Sequence, residues 1–514
     1  MKIWKLLASR VNVIVFFLLL IIIQVAVFIV LTSLLAYHYP FVTVIFYVIS
    51  FFAVLALIRK NDASAFKVKW IIIIMAFPVV GGVMYLILGN KRPTRKVAAI
   101  MQEHAKVATV LDCDSYHQNG QLVEDHRAAG LVHYIRQVSS YPAYENTQVK
   151  YYTMGEDVYE DMLAEMKAAQ KFIFLEFFII AKSQMWDSIV EVLIQKAAAG
   201  VDVRLIFDDL GSFKLFSKSY MTKLIAQGIK IVRFSPLVPF LMAFMNNRNH
   251  RKMVVIDGHT AFNGGINIAD EYINIKKRLG VWKDTGVRLK GDGVWSFTLM
   301  FVETWDAFCK PAERIDDYLL YKSAPPPPPH SPQASQGLVL PYGDSPLDGE
   351  QLGENVYIEI LSQAVNYVYI FTPYLIISEK MIHALQMAAK RGVDVRIVTP
   401  GIPDKKIVFR LTRANYSNLH EAGIKIYEYT PGFLHAKSFV SDDKFAVVGT
   451  INLDYRSLYL HFECATLLLG VPVIQDIKAD ALTTMAQSQE VFNKKRRFWG
   501  ALLDAILHFF APQM

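Results

Sequence analysis

The sequence has few cysteines and few charged residues for its length. Three cysteines occur in 514 residues, no two of them form a CxxC pair, and their number is odd. This scarcity argues against a disulfide framework and against a zinc site, so we interpret Cys113, Cys309 and Cys464 as ordinary reduced cysteines. The net charge of +8 is not gathered into one long tract of lysine and arginine, which argues against a nucleic-acid partner.

Apolar residues, in contrast, are abundant. Hydrophobic residues make up 53% of the chain and charged residues 19%. This composition is too apolar for a wholly soluble protein and indicates membrane-spanning segments. In such a protein the basic excess is expected to attract anionic lipid head groups. The length predicts two to four folding units.

Two long apolar runs near the N-terminus predict a helical hairpin in a membrane. Residues 11–35 and 41–58 are each long enough to cross about 30 Å of hydrocarbon as a helix. A cleaved signal peptide is the alternative for the first run. That run is too long for the apolar region of a signal peptide, and no small-x-small cleavage site follows it.

A third apolar run, residues 70–88, is interrupted by Pro78 and by Gly81-Gly82. Lysines and arginines precede the first run and follow the second and third, whereas the first turn has none. The positive-inside rule then predicts that the N-terminus, the 59–69 loop and the remaining chain are cytoplasmic, which requires an even number of crossings. We therefore interpret the third run as a re-entrant or interfacial hairpin, with a complete third crossing as the alternative.

From about residue 130, strand and helix patterns alternate, and the same order of segments occurs twice. A β-rich run at 171–180 leads into a helical stretch and then a strand at 201–207, and the runs at 367–377 and 392–398 repeat this series. Such an internal repeat predicts two similar α/β lobes, each with a mostly parallel or mixed sheet flanked by helices.

These patterns predict five segments along the chain. A membrane module (1–100) precedes a first lobe (130–322), a proline-rich linker (323–336), a second lobe (337–490) and a C-terminal segment (491–514). The linker contains five consecutive prolines and is interpreted as a stiff spacer, with a ligand for a proline-recognising partner as the alternative. The C-terminal segment is basic and then amphipathic, which predicts a helix on an anionic leaflet; packing on the second lobe is the alternative.

One pattern of polar residues occurs once in each copy. It consists of a histidine, a lysine two residues later, an aspartate five residues after that and an asparagine ten residues further on: His250, Lys252, Asp257 and Asn267 in the first copy, and His435, Lys437, Asp442 and Asn452 in the second. Alternate residues of an extended segment share a face, so each histidine and lysine are expected to point the same way. A single such pattern occurs by chance, but two copies with identical spacing in a duplicated fold indicate function.

The residue types in this pattern suit chemistry on phosphate diesters. An imidazole can attack phosphorus or transfer a proton near neutral pH. An ammonium group neutralises phosphoryl oxygens, and a carboxamide adds a neutral donor. The two copies therefore predict one site around a single phosphate, and this chemistry needs no metal and no other cofactor.

The sequence around these motifs resembles the phospholipase D superfamily and, within it, the bacterial cardiolipin synthases. The strings that carry the resemblance are Phe77-Pro78 with Gly81-Gly82, Gly264 to Tyr272, Trp282 to Thr285, Gly449 to Ser457, and Phe462-Glu463. The sequence departs from the family at Gly265 and Thr450, where many members have serine, and at His461, where asparagine is common.

The resemblance implies a ping-pong reaction. One histidine attacks the phosphorus of phosphatidylglycerol and releases glycerol. The other acts as acid for that step and then as base for the hydroxyl of a second phosphatidylglycerol, which gives cardiolipin. His250 is assigned as nucleophile and His435 as acid and base, although the pseudo-symmetry leaves the reverse assignment open.

Further roles follow from the same resemblance. Lys252 and Lys437 are expected to bind the phosphate, assisted by Asn267 and Asn452. Asp284 and Glu463 each follow the histidine of their own copy and are expected to orient its second ring nitrogen. Asp257 and Asp442 complete the motifs and are interpreted as ties between a strand and the following turn, with direct proton chemistry as the alternative.

Three classes of function follow from the sequence. The first is a cardiolipin-forming transferase in the bacterial cell membrane with cytoplasmic lobes. The second is a related enzyme: a hydrolytic phospholipase D, another phosphatidyltransferase or a diester nuclease. The third is a non-catalytic scaffold. Two intact motifs argue against the scaffold, and the absence of an aromatic and basic face argues against the nuclease. The oligomeric state stays open.

Overall fold

The computed structural model describes residues 37–60, 64–77, 126–236, 247–309, 337–492 and 498–511, together with residues 27, 30, 33–34, 81–82, 85 and 318. The chain divides into two compact units, Met1–Arg92 and Pro93–Met514. Most of the first predicted span, the predicted proline-rich linker and the basic run at 493–497 lie outside the described residues.

The described part of the N-terminal unit contains helices α1 (Pro40–Ile58) and α2 (Ser64–Ala76). Among the residues that the structure describes, α1 is the one helix long and apolar enough to cross a bilayer. It coincides with the second predicted span and begins with a proline, which suits the first position of a helix. Helix α2 ends two residues before Pro78, as expected where proline disfavours helical backbone.

The chain reverses its direction after α2. A Cβ atom added to Gly81 would lie 2.7 Å from the carbonyl oxygen of Ile73, so only glycine fits this close approach. The ring of Tyr85 lies 5.3 Å from the ring of Trp70. These two contacts bring residues 81 and 85 back along α2 in antiparallel fashion.

The larger unit begins with helix α3 and a first lobe. The elements up to the end of this lobe are α3 (His126–Ser139), β1 (Thr147–Tyr152), α4 (Gly155–Ala168), β2 (Phe172–Phe177), α5 (Gln184–Ala198), β3 (Asp202–Asp208), α6 (Asp209–Ser212), α7 (Lys218–Ala226), β4 (Lys230–Phe234), β5 (Arg248–Asn249), β6 (Lys252–Ile256), β7 (Thr260–Gly264), β8 (Val281–Lys283), β9 (Gly286–Gly291) and α8 (Val294–Phe308).

The second lobe repeats this series with small additions. Its elements are β10 (Leu338–Asp344), α9 (Leu352–Gln363), β11 (Tyr367–Phe371), β12 (Leu375–Ile376), α10 (Glu379–Lys390), β13 (Asp394–Pro400), α11 (Lys406–His420), β14 (Lys425–Tyr429), β15 (Gly432–Leu434), β16 (Ser438–Ser441), β17 (Phe445–Gly449), β18 (Leu453–Asp454), α12 (Tyr455–Tyr459), β19 (His461–Leu469), α13 (Ile474–Ala486), β20 (Ser488–Glu490) and α14 (Phe498–Phe510).

Each lobe has a mixed sheet, and the two sheets share one strand order. The first runs β1-β9-β7-β6-β2-β3-β4, and the second runs β10-β19-β17-β16-β11-β13-β14 with β20 added at the edge. In both sheets the three strands at one side are parallel and the others antiparallel. All six residues of β2 are buried, as expected for a central strand covered on both faces. The predicted duplication and mixed sheets are confirmed.

Two short strands leave their own lobe and join the other. Strand β5 pairs in parallel with the start of β19 in the second lobe, and β15 pairs in parallel with β8 in the first. We call this pair of crossings the strand exchange. Because β5 and β15 end immediately before His250 and His435, the exchange carries each motif histidine towards the opposite lobe.

A helix buried on almost every side joins the two sheets. In α8 the residues from Val294 to Asp306 are all buried, which is the pattern of a helix with core on every face. Phe301 of α8 stacks on Phe174 of β2 with ring centroids 4.5 Å apart. One continuous core contains both rings together with residues of the second sheet. The lobes therefore share a core that fixes the two ends of the strand exchange.

Candidate active site

The strands are interrupted at each motif histidine. His250 and Arg251 lie between β5 and β6, and His435 to Lys437 lie between β15 and β16. The residues of each motif therefore do not all belong to one strand. The chain must leave the opposite lobe and enter its own sheet at these points, and this transition breaks the strand.

Each histidine is held by the carboxylate of the other lobe. The His250 backbone N–H donates to the Phe462 carbonyl at 2.8 Å, and its Nδ1 lies 2.8 and 2.9 Å from the two carboxylate oxygens of Glu463. The His435 backbone N–H donates to the Lys283 carbonyl at 2.7 Å, and its Nδ1 lies 2.6 Å from Asp284 Oδ2.

The expected pairing of Asp284 with His250 and of Glu463 with His435 is therefore wrong. The physical reason is the strand exchange. It places His250 beside the residue that follows Phe462, and His435 beside the residue that follows Lys283. In the neutral rings Nδ1 donates to the carboxylate, which leaves Nε2 for chemistry.

Both histidines line one cavity of about 780 Å³ between the lobes. Asn267 and Asn452 line it as well. The wall from the first lobe is mainly apolar and includes Phe178, Ile179, Leu210, Tyr272 and Trp282. The wall from the second lobe carries most of the charges: Asp404, Lys405, Lys406, Asp454 and Arg456. Residues of both copies thus line one cavity whose two walls are unequal in charge.

The two motif lysines lie behind the histidines and are almost fully buried. Lys252 is 2% exposed and its Nζ donates to the His250 carbonyl at 2.7 Å. Lys437 is 1% exposed and its Nζ lies 3.1 Å from His435 Nε2. Burial lowers the pKa of Lys252 to about 7 and that of Lys437 to about 8. Ammonium groups so poorly solvated are suited to an anionic partner.

The two motif asparagines differ in their contacts. Asn267 accepts the Ile179 backbone N–H at 3.0 Å and donates to the Tyr272 hydroxyl at 2.8 Å, so its amide is fixed at both ends. Asn452 is buried in the cavity wall, and its Oδ1 has no hydrogen-bond partner within the described part of the chain. The second copy therefore keeps an amide with free hydrogen-bonding capacity.

The two motif aspartates lie away from the cavity and bind backbone. The carboxylate of Asp257 accepts the N–H groups of residues 170, 171 and 172 at 2.7 to 2.9 Å. That of Asp442 accepts the N–H groups of residues 365, 366 and 367 over the same range. Both have a positive φ, 52° and 53°, which aspartate tolerates better than most residues. These contacts tie the motif strand to the start of β2 or β11.

The titration of the site differs between its halves. Burial raises the pKa of the Asp284 carboxyl, but His435 and Lys437 outweigh burial and the net pKa is lowered. For Glu463 burial dominates, and its pKa is raised well above the usual value although Lys252 opposes this. Burial, reinforced by the adjacent lysine, lowers the pKa of His435 to about 4 and lowers that of His250 well below its usual value. Without a bound anion both rings are neutral.

Several site residues did not follow from the motif. His461 is a third histidine in the cavity wall, and its ring centroid lies 5.3 Å from that of His250. Its position next to Glu463 and its departure from the family pattern are the signals that could have found it. The run Asp404-Lys405-Lys406 lies where α11 begins, and no repeat or spacing marks it, so the sequence offered no signal for it.

One group of residues has the composition of a metal site. Ligand atoms of His250, His461 and Glu463 lie within 4.8 Å of one another. However, the Arg456 Nε donates to His461 Nε2 at 3.2 Å, which leaves the ring hydrogen on Nδ1. That nitrogen then offers an N–H towards Glu463 and no lone pair. The donor set fits a hydrogen-bond network better than it fits a cation.

Two histidines, each with a carboxylate and a lysine, at the junction of two like α/β lobes define a phospholipase D-type protein. The family model described as "Cardiolipin synthase, PLD-like domain" matches residues 162–283 and 357–483. A second model, "Phospholipase_D-nuclease N-terminal", matches residues 48–90. The two matches of the first model fall in the two lobes.

Relatives of similar length share the family. A cardiolipin synthase of Geobacillus kaustophilus is 34% identical, covering 84% of this chain and 85% of that protein. One of Alkalihalophilus pseudofirmus is 31% identical over 98% of this chain and 99% of that protein. An uncharacterized protein of Streptococcus mutans is 44% identical over 90% of this chain and 99% of that protein.

The fold also matches a solved structure. The phosphatidylserine synthase of Haemophilus influenzae superimposes with a TM-score of 0.56, covering 75% of this chain and 97% of that chain at 14% identity. At this identity the match concerns the fold alone. With the relatives above, the chain belongs to the cardiolipin synthase family of phospholipase D-like phosphatidyltransferases.

Proposed function

We propose that this chain joins two phosphatidylglycerol molecules into cardiolipin and glycerol through a phosphatidyl-histidine intermediate. The observation that carries the proposal is the pair of crossed contacts, His250 with Glu463 and His435 with Asp284, in one cavity. Each contact fixes a ring with its Nε2 turned away from the carboxylate. Two such rings beside buried lysines supply a nucleophile, an acid and an anion site for one phosphodiester.

In the first step, Nε2 of His250 attacks the phosphorus of the donor lipid. A P–N bond forms, the P–O bond to the head-group glycerol breaks, and a proton from His435 Nε2 neutralises the leaving oxygen. Lys252 and Lys437 face the charge on the phosphoryl oxygens. In the second step, a hydroxyl of another phosphatidylglycerol attacks the same phosphorus and gives its proton to His435. The P–N bond breaks and His250 is regenerated.

The acid role of His435 requires a proton that the free site does not hold. The pKa of His435 is lowered to about 4, first by burial and then by Lys437. An anionic phosphodiester beside Lys437 offsets the charge of that lysine and raises the pKa of the ring. Asp284 stays ionised beside Nδ1 and stabilises the imidazolium that forms. Proton uptake is therefore coupled to substrate binding.

The proposal places the site on the cytoplasmic side of a bacterial membrane that supplies both lipids. Helix α1 and the chain reversal after α2 support a multi-pass anchor with a re-entrant hairpin. Helix α14 supports an interfacial contact. One face packs on the second lobe, where Arg410 Nε donates to Asp504 at 2.6 Å, and Leu503 and Ile506 are exposed.

Lipid analysis of the purified full-length protein tests this function. The protein is given phosphatidylglycerol as the sole lipid in non-ionic detergent micelles, and both lipid products and free glycerol are quantified. Cardiolipin and glycerol in equal amounts support the proposal, and the His250→Ala variant should make neither. Phosphatidic acid without cardiolipin would show a hydrolase and refute the proposed transfer.

A further inference from the structure

The proposed reaction, on which this inference rests, needs a binding site for a second phosphate. The residues of the two motifs do not provide that site. The acceptor phosphatidylglycerol keeps its own phosphodiester while its terminal hydroxyl attacks the phosphorus. In the product the two phosphates are separated by one glycerol. A second anion must therefore sit about one glycerol away from the reacting phosphorus. Lys252 and Lys437 adjoin the histidines, and the proposed reaction uses them for the first phosphate.

Three cations line the same cavity on the wall of the second lobe. Lys405 and Lys406 are exposed at its mouth, and Arg456 is partly buried deeper in the wall. None of the three belongs to either motif. Their position in the histidine cavity, apart from the motif lysines, is what a second anion in the same reaction needs.

The first turn of helix α11 adds backbone donors to this wall. Residues 405 to 408 line the cavity, and they are the N-cap and first turn of a helix of 15 residues. The N-cap residue, Lys405, makes no side-chain cap hydrogen bond. The N–H groups of a helix start point outwards and carry partial positive charge, so they favour an anion.

A buried donor with no partner lies in the same wall. His461 is 9% exposed, and its Nδ1 has no hydrogen-bond partner within the described residues. Because its Nε2 accepts from Arg456 Nε at 3.2 Å, the unpartnered Nδ1 carries the hydrogen. The Oε1 atom of Glu463 lies 3.7 Å from this Nδ1, which is longer than a hydrogen bond, so the buried donor stays unsatisfied.

The wall also contains two carboxylates, and both are engaged by the protein. Asp404 Oδ2 accepts from the Tyr374 hydroxyl at 2.7 Å, and Asp454 Oδ1 accepts from the Ser457 N–H at 2.9 Å. The Lys405 Nζ lies 5.3 Å from the centre of the Tyr374 ring, which holds this lysine over the cavity. Three cations thus face the cavity against two carboxylates that already have donors.

We propose that Lys405, Lys406, Arg456 and the first turn of α11 form a second anion subsite for the intact phosphodiester of the acceptor lipid. The donor lipid brings one phosphate, which the motif lysines bind, and leaves this subsite free. After glycerol departs, the acceptor enters from the exposed side with its phosphate on the lysines. Its free hydroxyl is then held towards the phosphatidyl-histidine. Water and glycerol carry no phosphate and gain nothing from this wall.

The test compares two acceptors at one enzyme. The full-length protein, in non-ionic micelles with phosphatidylglycerol and isotopically labelled glycerol, forms cardiolipin and also exchanges labelled glycerol into phosphatidylglycerol. Both reactions share the histidine intermediate, but only cardiolipin formation uses an acceptor with a phosphate. The double variant Lys405→Gln, Lys406→Gln should lower the ratio of cardiolipin formation to exchange about tenfold or more, because charged hydrogen bonds to the acceptor are lost.

A matched control is Lys390→Gln, an exposed lysine on α10 that does not line the cavity. Its ratio should equal that of the unmodified protein. If the unmodified protein makes cardiolipin and the double variant keeps the same ratio, the subsite is refuted and the proposed function stands. If the unmodified protein exchanges glycerol but makes no cardiolipin, the proposed function fails and the subsite fails with it.

Discussion

The two halves of the active site differ in the acid that receives each histidine. His435 binds Asp284, whose pKa is lowered by the ring and by Lys437 in spite of burial. His250 binds Glu463, whose pKa burial raises well above its usual value. One ring therefore faces a firmly ionised carboxylate, and the other faces an acid for which ionisation is costly.

The residue that follows Gly264 in the first copy and Gly449 in the second differs together with this acid. In the half with Glu463, the Thr450 hydroxyl donates to Glu463 Oε2 at 2.5 Å. In the half with Asp284, the equivalent position is Gly265, and a Cβ atom there would lie 1.9 Å from Asp284 Oδ1. The shorter acid fills the space that a side chain would occupy. Each half has a matched pair, glycine with aspartate and threonine with glutamate.

This difference favours one assignment of roles within the proposed mechanism. An ionised carboxylate stabilises an imidazolium, so the Asp284 half suits the ring that gains and loses a proton. The Glu463 half keeps its ring neutral, because the pKa of His250 is lowered well below its usual value. A neutral imidazole is the nucleophilic form. The surroundings thus support His435 as acid and base and His250 as nucleophile.

The largest expected effects separate these two roles directly. Replacing either histidine by alanine should lower cardiolipin formation by about 10³-fold or more, since each step needs both rings. With a diester that has a nitrophenol leaving group, no acid is needed to expel it. His435→Ala should then still form the covalent phosphatidyl-enzyme, and His250→Ala should not. Intact-protein mass spectrometry at neutral pH detects the adduct, and an adduct on His250→Ala alone would reverse the assignment.

Removing the charge of each acid probes the crossed pairing. Asp284→Asn should lower kcat about 10²- to 10⁴-fold because the ring loses an ionised partner. Glu463→Gln should cost about tenfold less, since its carboxylate is the weaker acid. Steady-state kinetics with phosphatidylglycerol measures both. Equal losses in the two variants would show that the two halves are electrostatically alike and would contradict the assignment of roles to His250 and His435.

The sequence predicted the lobes well and the pairing within the site badly. Apolar strand runs and the repeated order of segments specify each sheet, because local pattern determines which residues are buried. The crossing of β5 and β15 depends on two and three residue pairs, respectively, between distant segments of the chain. Strands of two or three residues are too short to show a periodicity in the sequence. The carboxylates were found as residues but were placed with the wrong histidine for this reason.

The cations in the cavity wall of the second lobe, Lys405, Lys406 and Arg456, could not be predicted from the sequence for a different reason. Lys405 and Lys406 are the N-cap and the first residue of α11, and their sequence resembles that of any solvated helix start. Only the packing of the second lobe brings this helix start to the histidine cavity. A fixed motif spacing identifies residues that need one particular backbone geometry. A lysine at the entrance of a cavity needs no particular backbone geometry, so no spacing marks it.

Gly265 offers a way to disturb one half while leaving the other intact. In Gly265→Ala the new Cβ atom would collide with the Asp284 carboxylate and displace it from His435. We expect kcat to fall about 10- to 100-fold because a catalytic group is misplaced, and stability to fall by about 1 to 3 kcal/mol because the added methyl group overpacks a buried site. The control is Gly130→Ala in α3, where a Cβ atom meets no other atom within 4 Å. Unchanged kcat in Gly265→Ala would show that Asp284 tolerates the shift.

The two lysines should set the alkaline side of the pH profile. In the free protein the pKa of Lys252 is lowered to about 7 and that of Lys437 to about 8, so each loses its proton as the pH rises through these values. Because the ammonium forms bind phosphate, kcat/KM should decline above about pH 7 to 8. Arginine stays protonated, so the double variant Lys252→Arg, Lys437→Arg should move the alkaline limit to higher pH whatever its absolute rate. A profile that keeps its alkaline limit in this double variant would assign that limit to another group.

The smallest expected effect concerns the residue that distinguishes this chain from its family at the His250 half. In His461→Asn the amide oxygen can accept from Arg456 and the amide nitrogen can donate towards Glu463, so both ends of the ring's network have a substitute. We expect kcat/KM within about fivefold of the unmodified protein, because no hydrogen bond is lost outright. His461→Leu has no acceptor for the Arg456 guanidinium and should cost about tenfold or more. If asparagine and leucine have the same effect, the ring contributes volume beside His250 and the hydrogen bond from Arg456 has no role in the rate.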